Sequence, residues 1–219
     1  MTPPRDRIST AQGRIIIAGT GRTGTTFLVQ LFTALGFGTG FSLEDSLSWV
    51  DEISHAGLER GLVDEAAPYV IKSPWFADHL AGALHDERIK IYAALLPIRD
   101  LFSAAESRRR VYREACSRGL DPLAQSGSLW HTDELQNQEE VLARQFYKTI
   151  LPLVQFEMPM YFPEFPRLAR DPNYLFRTLQ PLMGDHDVGH SEFLRAHDRS
   201  ARPELIHDFK GHPCKERCL

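Results

Sequence analysis

The sequence predicts an α/β fold of three layers, a central parallel sheet flanked by helices, and three observations carry that prediction. Short apolar runs, "RIIIA" at 14–18, "YVIK" at 69–72 and "IKIYAALLPI" at 89–98, alternate with longer segments of helical periodicity. The runs are continuous rather than alternating apolar with polar, as in strands covered on both faces. The 219 residues, 42% of them hydrophobic, suit one sizeable core. A single domain over 1–219 is expected, with its core at about 14–183 and a polar tail at about 184–219.

The first unit is a strand, a glycine-punctuated loop and a helix. Glycines 19, 21 and 24 end the isoleucine run; Phe27, Leu28, Leu31, Phe32 and Leu35 then recur at helical spacing until Gly36 and Gly38. The second strand, near Tyr69, leads through Pro74 into the helical pattern "WFADHLAGAL". The third, 89–98, is followed by Asp100, a predicted N-cap for a helix running toward Ser117. Residues 118–132 are rich in turn formers and read as a loop, with Thr132 predicted to cap a helix through about Ile150. A loop of this length often serves as a lid or a binding element. Between 151 and 172 five prolines interrupt the pattern, leaving room for one strand, and "NYLFRTLQPLM" reads as an amphipathic helix.

A formal net charge of -4 gives no global attraction to nucleic acid, so any anion site must be a local concentration of cations. No apolar run is long enough to cross a bilayer, and "MTPPRDRIST" lacks the apolar centre of a signal peptide. Together with only three cysteines, Cys116, Cys214 and Cys218, this predicts a cytoplasmic protein without a membrane partner or a disulfide framework. The Cys214 and Cys218 pair lacks a second pair to complete four metal ligands, and "GDHDVGH" reads as an exposed polar loop rather than a metal site.

"IIIAGTGRTGTTFL" places a phosphate-binding loop between the first strand and its helix. Unpaired N–H groups and the dipole at the helix start attract an anion, glycines let the backbone approach it, and Thr25 and Thr26 add hydroxyl donors. The lysine of a nucleotide triphosphatase loop is missing; Thr25 stands in its place and Arg22 lies three residues earlier. An arginine there can fork onto two oxygens of a phosphate or sulfate.

The stretch "GTGRTGTTFL" resembles the 5′-phosphosulfate loop of the sulfotransferases that use 3′-phosphoadenosine 5′-phosphosulfate (PAPS). The spacing of Arg99 and Ser107 in "LLPIRDLFSAAES" resembles that family's 3′-phosphate clamp, and Lys72 in "YVIKSPWF" resembles its lysine facing the sulfuryl group. "FPRLARDPNYLFRTLQPLM" is loosely similar to a segment near the family's C-terminal end, so the likeness runs from Arg14 to about Met183. It implies a P-loop-like fold and sulfuryl transfer from PAPS, with release of 3′,5′-diphosphoadenosine (PAP). The implied acceptor is a hydroxyl of a small metabolite or carbohydrate.

On this resemblance Gly21, Arg22, Thr23, Gly24, Thr25, Thr26, Arg99 and Ser107 bind the nucleotide, while Arg22 and Lys72 stabilise charge on the leaving phosphate without a metal. Cytosolic members carry a catalytic histidine where this chain has Pro74. The acidic segment "FSLEDSLSWVDE" follows the first helix, where carbohydrate-type members keep a catalytic glutamate, so the resemblance implies Glu44 as the base, although Ser42 and Asp45 also form a capping-box pattern. In "ESRRRVYREACSR", Arg109 and Arg113 read as a solvated face, with Arg108 and Arg110 open. Trp75 reads as core, and Trp130 as a loop residue able to touch substrate. A P-loop kinase of a small molecule or nucleotide, and a non-catalytic nucleotide-binding module, are the rival readings.

Overall fold

A computed structural model describes residues 13–62 and 67–209; the Cys214 and Cys218 pair lies outside them. Strand β1 (Arg14–Ile17) leads through the glycine loop into α1 (Thr25–Ala34), and α2 (Leu43–Ser48) follows. Next come β2 (Val70–Lys72), α3 (Phe76–His85), β3 (Ile91–Leu95), β4 (Ile98–Arg99) and α4 (Leu101–Ser117). Beyond the 118–132 loop lie α5 (Gln138–Gln155), β5 (Met160–Tyr161), β6 (Glu164–Phe165), α6 (Arg167–Arg170), α7 (Pro172–Thr178), α8 (Gln180–Gly184) and α9 (His190–Ser200).

The expected α/β architecture is present. A parallel sheet of order β2-β1-β3-β5 has Ile16 of β1 opposite Ile71 of β2 and Ala94 of β3. Successive residues point to opposite faces. Ile15, Ile17, Val70, Ala93 and Leu95 pack with Leu28, Leu31 and Phe32 of α1, Leu175 of α7 and Phe193 of α9. Ile16, Ile71, Ala94 and Leu96 pack on the other side with Phe76 and Leu80 of α3 and Leu153 of α5. The continuous apolar runs thus feed two cores, one on each side of the sheet.

Several elements differ from their predicted limits, each for a local reason. The run at 89–98 is two strands, because Pro97 has no N–H to extend the ladder. Leu96 N–H still donates to Tyr161 O (2.8 Å), whereas Ile98 N–H donates to Pro163 O (2.9 Å) and starts a separate two-stranded parallel sheet, β4-β6. Helix α5 continues through Pro152, where fully buried Leu153 anchors the last turn. Thr132 does not cap that helix; its hydroxyl accepts from Glu134 N–H (3.0 Å), and a short 3-10 turn at Leu135–Asn137 intervenes. The single helix predicted over "NYLFRTLQPLM" is α7 and α8, parted at Leu179 ahead of Pro181.

The core also continues past 183. In α9 the buried stripe is Phe193, Ala196, His197 and Ser200, at i, i+3, i+4 and i+7, so only two of its four positions are strongly apolar. Phe27 of α1 meets His197 edge-on at 5.2 Å, and His197 shares a hydrogen bond with Leu168 O (3.0 Å). His186, in the segment read as an exposed loop, packs edge-on against Phe37 and hydrogen bonds Tyr69 Oη (3.0 Å). No described helix is long and apolar enough to cross a membrane.

Candidate functional site

The carboxyl ends of parallel strands are where open α/β sheets bind ligands, and the loop after β1, Lys72 at the end of β2 and Arg99 at the end of β4 all face one cavity of about 620 Å³. Gly21, Arg22, Gly24, Thr25, Thr26 and Ser107 line it as well. The structure therefore brings together eight of the residues singled out in the sequence. Thr23 is buried beneath the loop and does not line the cavity. Glu44 is exposed in the first turn of α2, where Ser42 Oγ caps Asp45 N–H (3.0 Å), and also lies outside the cavity lining.

Gly24 explains how the loop meets its helix. Its φ of 82° is left-handed, and a Cβ there would stand 2.9 Å from the Phe165 ring. As the N-cap of α1 it supplies no side-chain oxygen, so no side chain caps the first amides of that helix. These amides border the same cavity as the threonine hydroxyls, an arrangement that binds anions.

Arg22 forms the tip of the loop at φ 59°, a conformation that costs a non-glycine residue roughly 1–2 kcal/mol. Its Nε donates to Ser107 Oγ (3.0 Å) and its Nη1 to Ser54 O. Burial, then Arg110 and Arg99, push its pKa down to about 10. Arg99 donates through Nη1 to Arg22 O (3.0 Å) and through Nη2 to His207 O (2.6 Å), and burial lowers it to about 10 against the opposing Asp208 and Asp100. Arg22, Arg99 and Ser107 thus form one connected group, and both guanidiniums remain charged at neutral pH.

Lys72 is 95% out of solvent. Its Nζ donates to Thr26 Oγ1 (3.0 Å) and Gly57 O (2.5 Å) and pairs with Glu59 Oε1 (2.8 Å). Burial depresses its pKa while the Glu59 charge holds it up. Glu59 is the one carboxylate among the described residues lining the cavity. It was invisible in the sequence as a lone glutamate among loop residues. Arg60 N–H, donating to Lys72 O (3.0 Å), draws that loop alongside the end of β2.

Segments 41–60 and 118–132 dock on each other over Arg22. Asp51 Oδ1 accepts from Ile53 N–H, Ser54 N–H and Ser54 Oγ, and Gln125 Nε2 donates to Asp51 Oδ2. These bonds fix a tight loop whose His55 stands at φ 54° on the cavity wall. Burial, then Arg22 and Arg110, lower the His55 pKa, against the opposing Asp51.

Arg108, left open by the sequence, is 5% exposed and lines the cavity. Arg109 is buried rather than solvated, and it joins α4 to α5 through Leu135 O and Glu139. Trp75 is 52% exposed at the cavity wall and so is not core, whereas Trp130 backs Arg108 at 5.2 Å. The chain matches no protein-family model and no curated protein sequence.

Proposed function

We propose that the protein is a PAPS-dependent sulfotransferase with a P-loop-like fold, acting on a hydroxyl of a small metabolite or carbohydrate. The observation that carries this reading is the charge balance of the cavity: Arg22, Lys72, Arg99, Arg108 and the uncapped start of α1 face one carboxylate, Glu59. Such a wall suits a ligand with several anionic groups. Arg99 and Ser107 would hold the 3′-phosphate, and the loop from Gly21 to Thr26 the 5′-phosphosulfate.

PAPS supplies an activated sulfuryl group: its sulfur forms a bond to the acceptor oxygen as the bond to the 5′-phosphate oxygen breaks, leaving PAP. Lys72 and the α1 amides stabilise the charge gathering on that phosphate oxygen. The acceptor proton needs a receiving group inside the cavity. Glu59 takes the role first given to Glu44, since it lines the site and Lys72 holds it 2.8 Å from Nζ.

A kinase reading needs a carboxylate free to hold magnesium near the third strand. Asp100, next to Arg99, instead caps α4 by accepting from Ser103 N–H (2.8 Å). Thermal stabilisation by PAP in the absence of metal, and none by ATP with magnesium, is the expected result; the opposite preference sinks the reading. With PAPS and a panel of hydroxyl acceptors, Glu59→Gln loses turnover and Glu44→Gln keeps it. Binding of PAP with no turnover of any acceptor would favour a non-catalytic module.

A further inference from the structure

Helix α4 and its C-terminus carry five arginines, and four have glutamate partners. Arg109 pairs with Glu106 and Glu139, Arg110 with Glu114, Arg113 with Glu106 and Arg118 with Glu114. Arg108, the most buried of them, pairs with no carboxylate among the described residues. No acid opposes the fall of its pKa, which burial and Arg22 push down to about 9.

Its hydrogen bonding is also incomplete. Nη1 donates to Ser128 O (2.6 Å) and Nη2 to Thr20 O (2.6 Å), which leaves the other Nη hydrogens and Nε–H. Nε is buried with no partner. Two carbonyl dipoles and the face of Trp130 only partly replace lost water, and a buried charge without a counter-ion is an unstable arrangement.

The position of the group identifies what is missing. A Cβ on Gly21 would lie 2.8 Å from Arg108 Nη2, so the guanidinium rests against the apex of the phosphate loop. The preceding residue on α4, Ser107, accepts from Arg22 Nε, and Arg99 holds the Arg22 carbonyl. Three guanidiniums therefore gather at one end of the cavity, while Lys72 and Thr26 serve the other.

We propose that Arg108 is a ligand-binding residue, a third guanidinium that the dianion of a phosphate monoester completes where Arg22 and Ser107 meet. The assignment rests on the PAPS reading, in which that monoester is the 3′-phosphate. Adenosine 5′-monophosphate, which has no 3′-phosphate, would leave this end of the cavity in excess positive charge, so the site distinguishes PAP from it.

The test compares wild type, Arg108→Lys and Arg108→Gln for binding of PAP and of adenosine 5′-monophosphate by calorimetry, at low and high salt. Arg108→Gln should weaken PAP about tenfold or more and the monophosphate much less, and should flatten the salt dependence of PAP binding. Arg108→Lys, keeping the charge, should recover part of the PAP affinity and the salt dependence. Equal losses for both nucleotides with an unchanged salt dependence would reduce Arg108 to a structural tie between Thr20 and Ser128 and overturn the proposal. Should Arg108→Gln not fold, Arg108→Lys decides alone: a loss no greater for PAP than for the monophosphate overturns the proposal too. Failure of the PAPS reading looks different: the wild type then ignores PAP, and Arg108-dependent binding of inorganic phosphate still supports the anion role.

Discussion

Replacing Glu59 by glutamine isolates one buried charge. Lys72 would keep its hydrogen bonds to Thr26 and Gly57 but lose the carboxylate that offsets its burial. Removing one partner of a buried pair costs about 3–5 kcal/mol. The Glu59 side chain keeps 29% of its exposure, which lets water screen the pair, so about 2 kcal/mol is the expected loss near pH 7. For a chain of this size that lowers the melting temperature by about 4–8 °C.

The pH dependence gives the sharper result. A lysine whose folded pKa lies below its unfolded value penalises the folded state while charged, and the penalty fades as pH rises through the folded value. Without Glu59 the Lys72 pKa falls further, so the deficit of Glu59→Gln should shrink between pH 7 and about pH 10. Calorimetric unfolding of both proteins across that range measures it. A deficit that stays constant or grows with pH would refute the idea that an uncompensated Lys72 charge is the cause.

Two further outcomes test the scaffold. Phe193→Ala should cost about 3–5 kcal/mol by chemical denaturation, because this fully buried ring ties α9 into the core beside Phe176; a loss under about 1 kcal/mol would show α9 to be a dispensable tail. Gly24→Ala should destabilise by about 1–3 kcal/mol, through its left-handed φ and the 2.9 Å approach to Phe165, and weaken PAP through misaligned α1 amides. Wild-type stability and affinity together would contradict the loop geometry.

The sheet and the glycine loop were legible because their signals are local. Three isoleucines followed by spaced glycines specify a strand and a tight loop with little reference to the rest of the chain. Asp100 and Ser42 were legible as caps for the same reason, each bonding an amide three residues on. Glu59 and Arg108 were not, because their significance depends on chain pairing far away in sequence. Glu59 matters through Lys72, and Arg108 through Thr20 and Ser128. Helix α9 was obscured by composition, since a histidine and a serine occupy half of its buried stripe. Trp75 was misplaced because aromatic content favours the core in general, and only the geometry of the strand end sets this ring at the cavity wall.

The placement of the indoles makes the cavity optically self-reporting. Trp75 and Trp130 border it, and the third tryptophan, Trp49, is exposed outside its lining. A nucleotide that draws the Arg108 guanidinium toward a phosphate would alter the charge 5.2 Å from the Trp130 ring, while Trp75 lines the cavity three residues beyond Lys72 of β2. On the proposed sulfuryl transfer, donor and acceptor occupancy would fall on two different chromophores of the native chain. With Trp49→Phe as background, a Trp75→Phe protein would report the first through Trp130, and a Trp130→Phe protein the second through Trp75, with no label attached.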